Sequence, residues 1–339
     1  MGRLELRGRG DRLTNALNRP NMKFRYYTTV VLAAVAFAAC SESAQERVAV
    51  PDPADTRVTL QRDGMHDVTV YAFRRQDDAF LYDTFFWDGW TPDGTLSVRM
   101  PAGQYKFLFV SGAGENLALE PAPLTGQTTW EQTVFTLRED PAAPGMYLPA
   151  DDLFLQFPAA DADAVYTLGG ADVTVSARLT RAVSRIGVTV KRGYHDGTGY
   201  VEVPYTPPYS VLDEIERIEL TAANAGLRVG LGGSEGTASV RTTLAASEYA
   251  ELTGQGFVRL EGPLVIPPAG GEAIDLLLSV VPATGATLQP TQLRLAGKAE
   301  RNKRLDVTLW ITSGYPVIGV EIDVAPIDRE QEGDWGIWE

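Results

Sequence analysis

From Arg57 onward the apolar residues recur with a period of two, and that period leaves little room for anything but β-sheet. Val68, Val70 and Ala72 fall on one face, with Thr69, Tyr71 and Phe73 on the other. Val173, Val175, Ala177 and Leu179 alternate with Asp172, Thr174, Ser176, Arg178 and Thr180. The pattern returns at Ile186, Val188 and Val190 against Arg185, Thr189 and Lys191. Such a strand lays one face on a core and the other in water. Leu96 and Val98 lead to Pro101-Ala102-Gly103 and then to the run 104–110, which predicts a hairpin. Further strands are predicted at 80–87, 131–137 and 153–157. In the second half they are predicted near 215–220, 227–231, 240–244, 257–266, 274–281, 293–296, 305–311 and 317–324, with a short helix at 245–252. The 33 Gly and 21 Pro supply the turns. The expected fold is therefore all-β, two consecutive β-sandwiches over 57–165 and 166–339, divided at the Ala/Asp stretch 159–164.

The start of the chain obeys different rules. Lys23 and Arg25 precede an apolar run from Thr28 to Ala39, too short to span a bilayer but suited to a signal segment. Ala38 and Ala39 stand directly before Cys40, the only cysteine, as in a bacterial lipobox, with Phe37 where Leu, Val or Ile is usual. Lipidation at Cys40 is expected, and acyl chains gain about 0.8 kcal/mol per buried methylene. Met22 reads as the natural start, so 1–39 is leader and 40–56 a polar, Pro-containing tether. The net charge is −14. Without residues 1–39 it becomes −19, from 23 basic against 42 acidic side chains. Such a surface repels phosphate backbones, which argues against a nucleic-acid partner.

Enzyme signatures are sparse. The two histidines, His66 and His195, have no second histidine or cysteine at metal-ligand spacing, so no metal or other cofactor is expected. His195 in Gly193-Tyr194-His195-Asp196-Gly197 reads as a hairpin tip. No Gly-x-Ser-x-Gly elbow or P-loop occurs. The carboxylate pairs Asp77-Asp78, Asp151-Asp152 and Asp161/Asp163 lack EF-hand spacing. No catalytic residue is assigned. In Phe85-Phe86-Trp87-Asp88-Gly89-Trp90 the aromatic rings are expected to close a core. As exposed rings, Trp87 and Trp90 would instead offer a platform for glycan.

The run Leu179-Thr-Arg-Ala-Val-Ser-Arg-Ile-Gly-Val-Thr-Val190 resembles one carried by the FimB/Mfa-type fimbrial anchor family of the Bacteroidales. The lipobox leader, the Pro-Ala-Gly-x-Tyr hairpin at 101–105 and the apolar last strand are similar too. The resemblance implies a transthyretin-like first sandwich and a place in type V pili, at the outer membrane and facing outward. Its implied partners are other fimbrial subunits, the membrane through the lipid, and a surface ligand for the assembled fibre. It further implies that stem subunits are cut after Arg or Lys, releasing their first strand, while anchor members stay uncut. Arg47 is the candidate cut site, with Arg57 and Arg62 as alternatives; a cut would make the chain a stem or tip subunit. Joining by strand addition needs period-two apolar residues. Ile318, Val320, Ile322 and Val324 supply them, and Trp335 and Ile337 are a second candidate. The same pattern suits a last core strand, so both roles stay open for 317–324.

Overall fold

The computed structural model describes residues 55–62, 67–156, 163–203, 215–245, 257–285, 291–312 and 317–327. Among these, helix is confined to two 3-10 turns, Trp130–Gln132 and Ala269–Gly271; the remaining regular structure is strand.

In the first sandwich, β1 (Thr56–Arg62) is the middle strand of three. It pairs antiparallel with β4 (Thr95–Met100) and parallel with β10 (Val173–Ala177). The second layer runs β11 (Leu179–Arg181), β8 (Phe154–Gln156), β5 (Gly103–Ser111), β2 (Thr69–Gln76), β3 (Ala79–Phe86), with β9 (Tyr166–Leu168) beside the start of β5. Val58 and Leu60 of β1 meet Val70, Ala72, Phe107 and Phe109 of the facing sheet in one buried cluster.

In the second sandwich, one layer is β13 (Tyr200–Glu202), β12 (Ser184–His195), β21 (Lys303–Ile311), β22 (Val317–Pro326), and β18 (Phe257–Val265) also pairs with β12. The other layer is β17 (Ala238–Ala245), β14 (Ile215–Ala225), β19 (Ala273–Pro282), β20 (Thr291–Lys298). Ile186, Val188 and Val190 with Val307 and Leu309 face Ile218, Leu220, Leu276 and Leu278 across the core. A third sheet joins the halves: β6 (Leu117–Leu119) and β7 (Val134–Leu137) continue into β15 (Arg228–Gly230) and β16 (Gly233–Glu235).

The sheets do not divide at residue 165. Strands β9, β10 and β11, over 166–181, pair with β5, β1 and β8 and belong to the first sandwich. The crossover falls at Ala182–Ser184. The Ala/Asp stretch looks like a linker because it is polar. Yet its Asp163 pairs with Lys106 at 2.8 Å and accepts the Trp130 indole N–H at 3.2 Å, inside the first half. Of the helix expected at 245–252, Ala245 ends β17 and the rest lies outside the described residues.

Candidate assembly site

Two strands bear on assembly: the first, which a cut would release, and the last. Thr56, Val58 and Leu60 of β1 are buried, and every residue from Thr56 to Gln61 has a register partner on β4. Val58 to Arg62 have a second set on β10. Arg57 points outward and donates to Ser97 Oγ at 2.8 Å. Arg62 lies over the Trp90 ring, 5.2 Å from its centroid, and its backbone N–H donates to Gly94 O at 3.0 Å. Both alternative cut sites thus sit in a strand whose two edges are already paired. Arg47 and Cys40 lie outside the described residues, as do His66, Trp335 and Ile337.

The last strand, β22, pairs antiparallel with β21 from Lys303↔Pro326 to Ile311↔Val317. A register shift between Trp310 and Ile311 sets Val317 opposite Ile311. Val317, Val320 and Val324 pack on the core, while Ile322 is 39% exposed. On the other face Glu321 accepts the Trp310 indole N–H at 3.0 Å, and Trp310 stacks on Tyr200 with centroids 5.4 Å apart. Gly193 and Gly319 make this stack fit. A Cβ on Gly319 would collide with the Tyr200 ring and hydroxyl, and one on Gly193 with Val201 O and the Trp310 ring. Among the described residues, β22 ends its sheet. An edge of this kind presents unpaired N–H and C=O groups, a template for a further strand.

The run 179–190 straddles the crossover between sandwiches. Arg181, 4% exposed, holds Asp152 through two bonds of 2.6 and 2.9 Å and lies over Phe154. It pins the end of the first sandwich to the segment before β8. Gly187 lies under a charged network on the second. Arg304 bonds Glu261 at 2.9 Å and also Asp306, which takes Arg259 at 3.2 Å. A Cβ on Gly187 would collide with both the Asp306 carboxylate and the Arg304 guanidinium.

The aromatic cluster divides. Trp90 packs on the first core and donates its indole N–H to Val68 O at 3.0 Å, as a core role requires. Trp87 departs from the expected core role: it is 63% exposed, and Phe85 is 48% exposed. With one face of Trp90 under Arg62, a two-ring platform is not formed. The spacing of these rings along the chain gives no sign of the split, since a turn comes immediately after β3.

Of the carboxylate pairs, Asp151-Asp152 holds the fold, while Asp77 and Asp78 are exposed and Asp161 lies outside the described residues. Asp151 Oδ2 accepts the N–H groups of Asn116 and Leu117 at 2.8 Å each, and Asp152 binds Arg181. His195 ends β12 at a hairpin to β13, as predicted. Asp196 Oδ1 accepts from the Thr198 hydroxyl and from the N–H groups of Thr198 and Gly199, which lowers its pKa to about 2.

The family model described as fimbrillin-A associated anchor proteins Mfa1 and Mfa2 matches residues 46–213. Over that span the chain belongs to the fimbrial anchor family. The match runs from Glu46 through the whole first sandwich and across the crossover motif, so the chain is a fimbria-associated, cell-surface subunit. This is a family of structural and adhesin-type proteins, which associate with other fimbrial subunits; it is not an enzyme family. Among solved structures, the chain is similar to the fimbrial anchor protein Mfa2 of Porphyromonas gingivalis. Identity is 14%, 80% of this chain and 99% of that one are covered, and the TM-score is 0.46. A candidate adhesin of Bacteroides ovatus matches at 12% identity, 82% and 96% coverage and TM-score 0.49. A candidate polysaccharide-binding protein of Bacteroides thetaiotaomicron matches at 12%, 81% and 99%, and 0.48. No curated protein matches.

Proposed function

We propose that the chain is the base subunit of a fimbrium, lipidated at Cys40, held in the outer membrane and left uncut. The observation that carries this reading is the closure of β1. A cut at Arg57 or Arg62 requires stripping a central strand from both neighbours, whereas a stem subunit must give its first strand up. The lipobox before Cys40 supports the same conclusion, because an uncut chain keeps its lipid. The stem subunit joins by strand exchange along β22: Val320 and Val324 stay on this chain's own core, and the outer edge of β22 offers its N–H and C=O groups to the partner's strand. The role is structural, without catalysis or cofactor.

The test is removal of residues from Val317 onward in cells that assemble fimbriae. The truncated chain should still be lipidated but should fail to hold a fibre. Normal fibre attachment would refute strand exchange at this end.

The exposure of Phe85 and Trp87 favours a second, compatible role in surface adhesion. Loss of glycan-array or cell binding on Trp87→Ala, with Trp90→Phe unchanged, would establish it; equal binding by wild type and Trp87→Ala would exclude it.

A further inference from the structure

We infer that the outer edge of β22 selects its partner by charge. It takes an extended strand that is apolar on one face and carries Lys or Arg on the other, and it turns away a second copy of itself. The inference rests on strand exchange at β22 and adds the chemistry of the partner strand.

The edge is defined by two features of its backbone and core side. Val324 N–H donates to the carboxylate of its neighbour Asp323 at 2.8 Å, so this donor is not spent on the β21 ladder and points to the outer side. Main-chain groups alternate in direction along a strand, so the N–H groups of Val320 and Ile322 point the same way. Asp323 thus closes one donor and leaves those two for a partner. Ile322 stands opposite Val307, which is fully buried, yet Ile322 is itself 39% exposed, because β22 ends its sheet among the described residues. A strand added here would cover Ile322 with an apolar side chain at the matching position.

The other face of β22 sets the sign. Glu321 and Asp323 are exposed there, two residues apart, and among the described residues neither has a basic partner. Glu321 accepts the Trp310 indole N–H, and Asp323 accepts only from Val324. Their register neighbours on β21 are Thr308 and Asp306, and Asp306 already holds Arg259 and Arg304. Opposite charges facing each other across two strands stabilise the pair, and like charges oppose it. Lys or Arg beside positions 321 and 323 supplies what this sheet lacks. A second copy brings the wrong sign, since antiparallel β22 strands centred on Ile322 set Glu321 opposite Asp323 on both sides of the centre. Edge strands are commonly guarded by charge, and a guard of one sign leaves the edge open to the other.

Two synthetic peptides test this on the full chain. Both carry Val at alternate positions; one has Lys and the other Glu in between. The Lys peptide should bind about tenfold more tightly, and it should slow amide exchange at Val320 and Ile322. Asp323→Lys, which keeps the bond between Glu321 and Trp310, should shrink that preference, and Glu321→Lys/Asp323→Lys should reverse it. Equal affinities with both amides protected would overturn charge selection and leave strand exchange standing. Protection of neither amide by either peptide would overturn both. A preference unchanged in both variants would trace it to the net charge of −14 and not to this edge, which also overturns the inference. So would protection of the two amides without peptide as the chain self-associates, because the occupant is then a second copy.

Discussion

Arg181 shows how one side chain serves two levels of structure. Its fork holds Asp152 while its plane covers Phe154, so the end of β11 is fixed in position as well as charge. Lysine supplies the charge without the fork. Arg181→Ala should cost about 2–3 kcal/mol in urea unfolding, because Asp152 keeps partial access to water and the loss is less than for a fully buried pair. Arg181→Lys should recover part of that loss. A double-mutant cycle with Asp152→Ala should return most of the loss as coupling. At the β12–β13 tip, Asp196 has its folded pKa lowered to about 2, against about 3.9 when unfolded. Its contribution is thus present above the unfolded value and lost as pH falls through about 2. NMR should show faster exchange of the Thr198 and Gly199 amides in Asp196→Ala at pH 5, with the difference from wild type closing as pH approaches 2.

At the scale of the element, β1 and β22 make opposite predictions. Limited digestion with an Arg-specific protease should leave Arg57 and Arg62 intact under native conditions, since a protease needs an extended segment with free edges and β1 has none. Fragments beginning at Val58 or Asp63 in the folded protein would contradict the closure of β1. Gly187→Ala should cost about 1–3 kcal/mol by forcing Arg304 and Asp306 apart, with the loss read by thermal or denaturant unfolding. Most strands were legible from the sequence, because a half-buried strand writes its faces into every second residue. The pairings were not. Nothing local in Val173–Ala177 says that it lies parallel to β1, and nothing in Val134–Leu137 says that it pairs with β15. Register is set by tertiary packing, and a polar stretch such as 159–164 reads as a boundary until Asp163 is seen to bind Lys106.

For the whole molecule, two sandwiches joined by a shared sheet give a subunit whose halves are coupled through β7 and β15. Of the candidate site, the alternating apolar strand at 317–324 was legible from its period of two, while the lipobox before Cys40 lies outside the described residues and stays a proposal. The site's decisive part, the pairing of β1 on both sides, sets Val58 opposite Val98 on one edge and opposite the far more distant Val173 on the other, and carries no signature of its own. The exposed Trp87 was equally hidden, since an indole has the same letter in a core and on a surface. The central claim is that the chain remains whole and fatty at its start while serving a fibre. Intact mass of the protein recovered from native fimbriae tests it directly. The account predicts a chain beginning at an acylated Cys40; a chain beginning at Val48, or one with an unmodified Cys40 thiol, would contradict it.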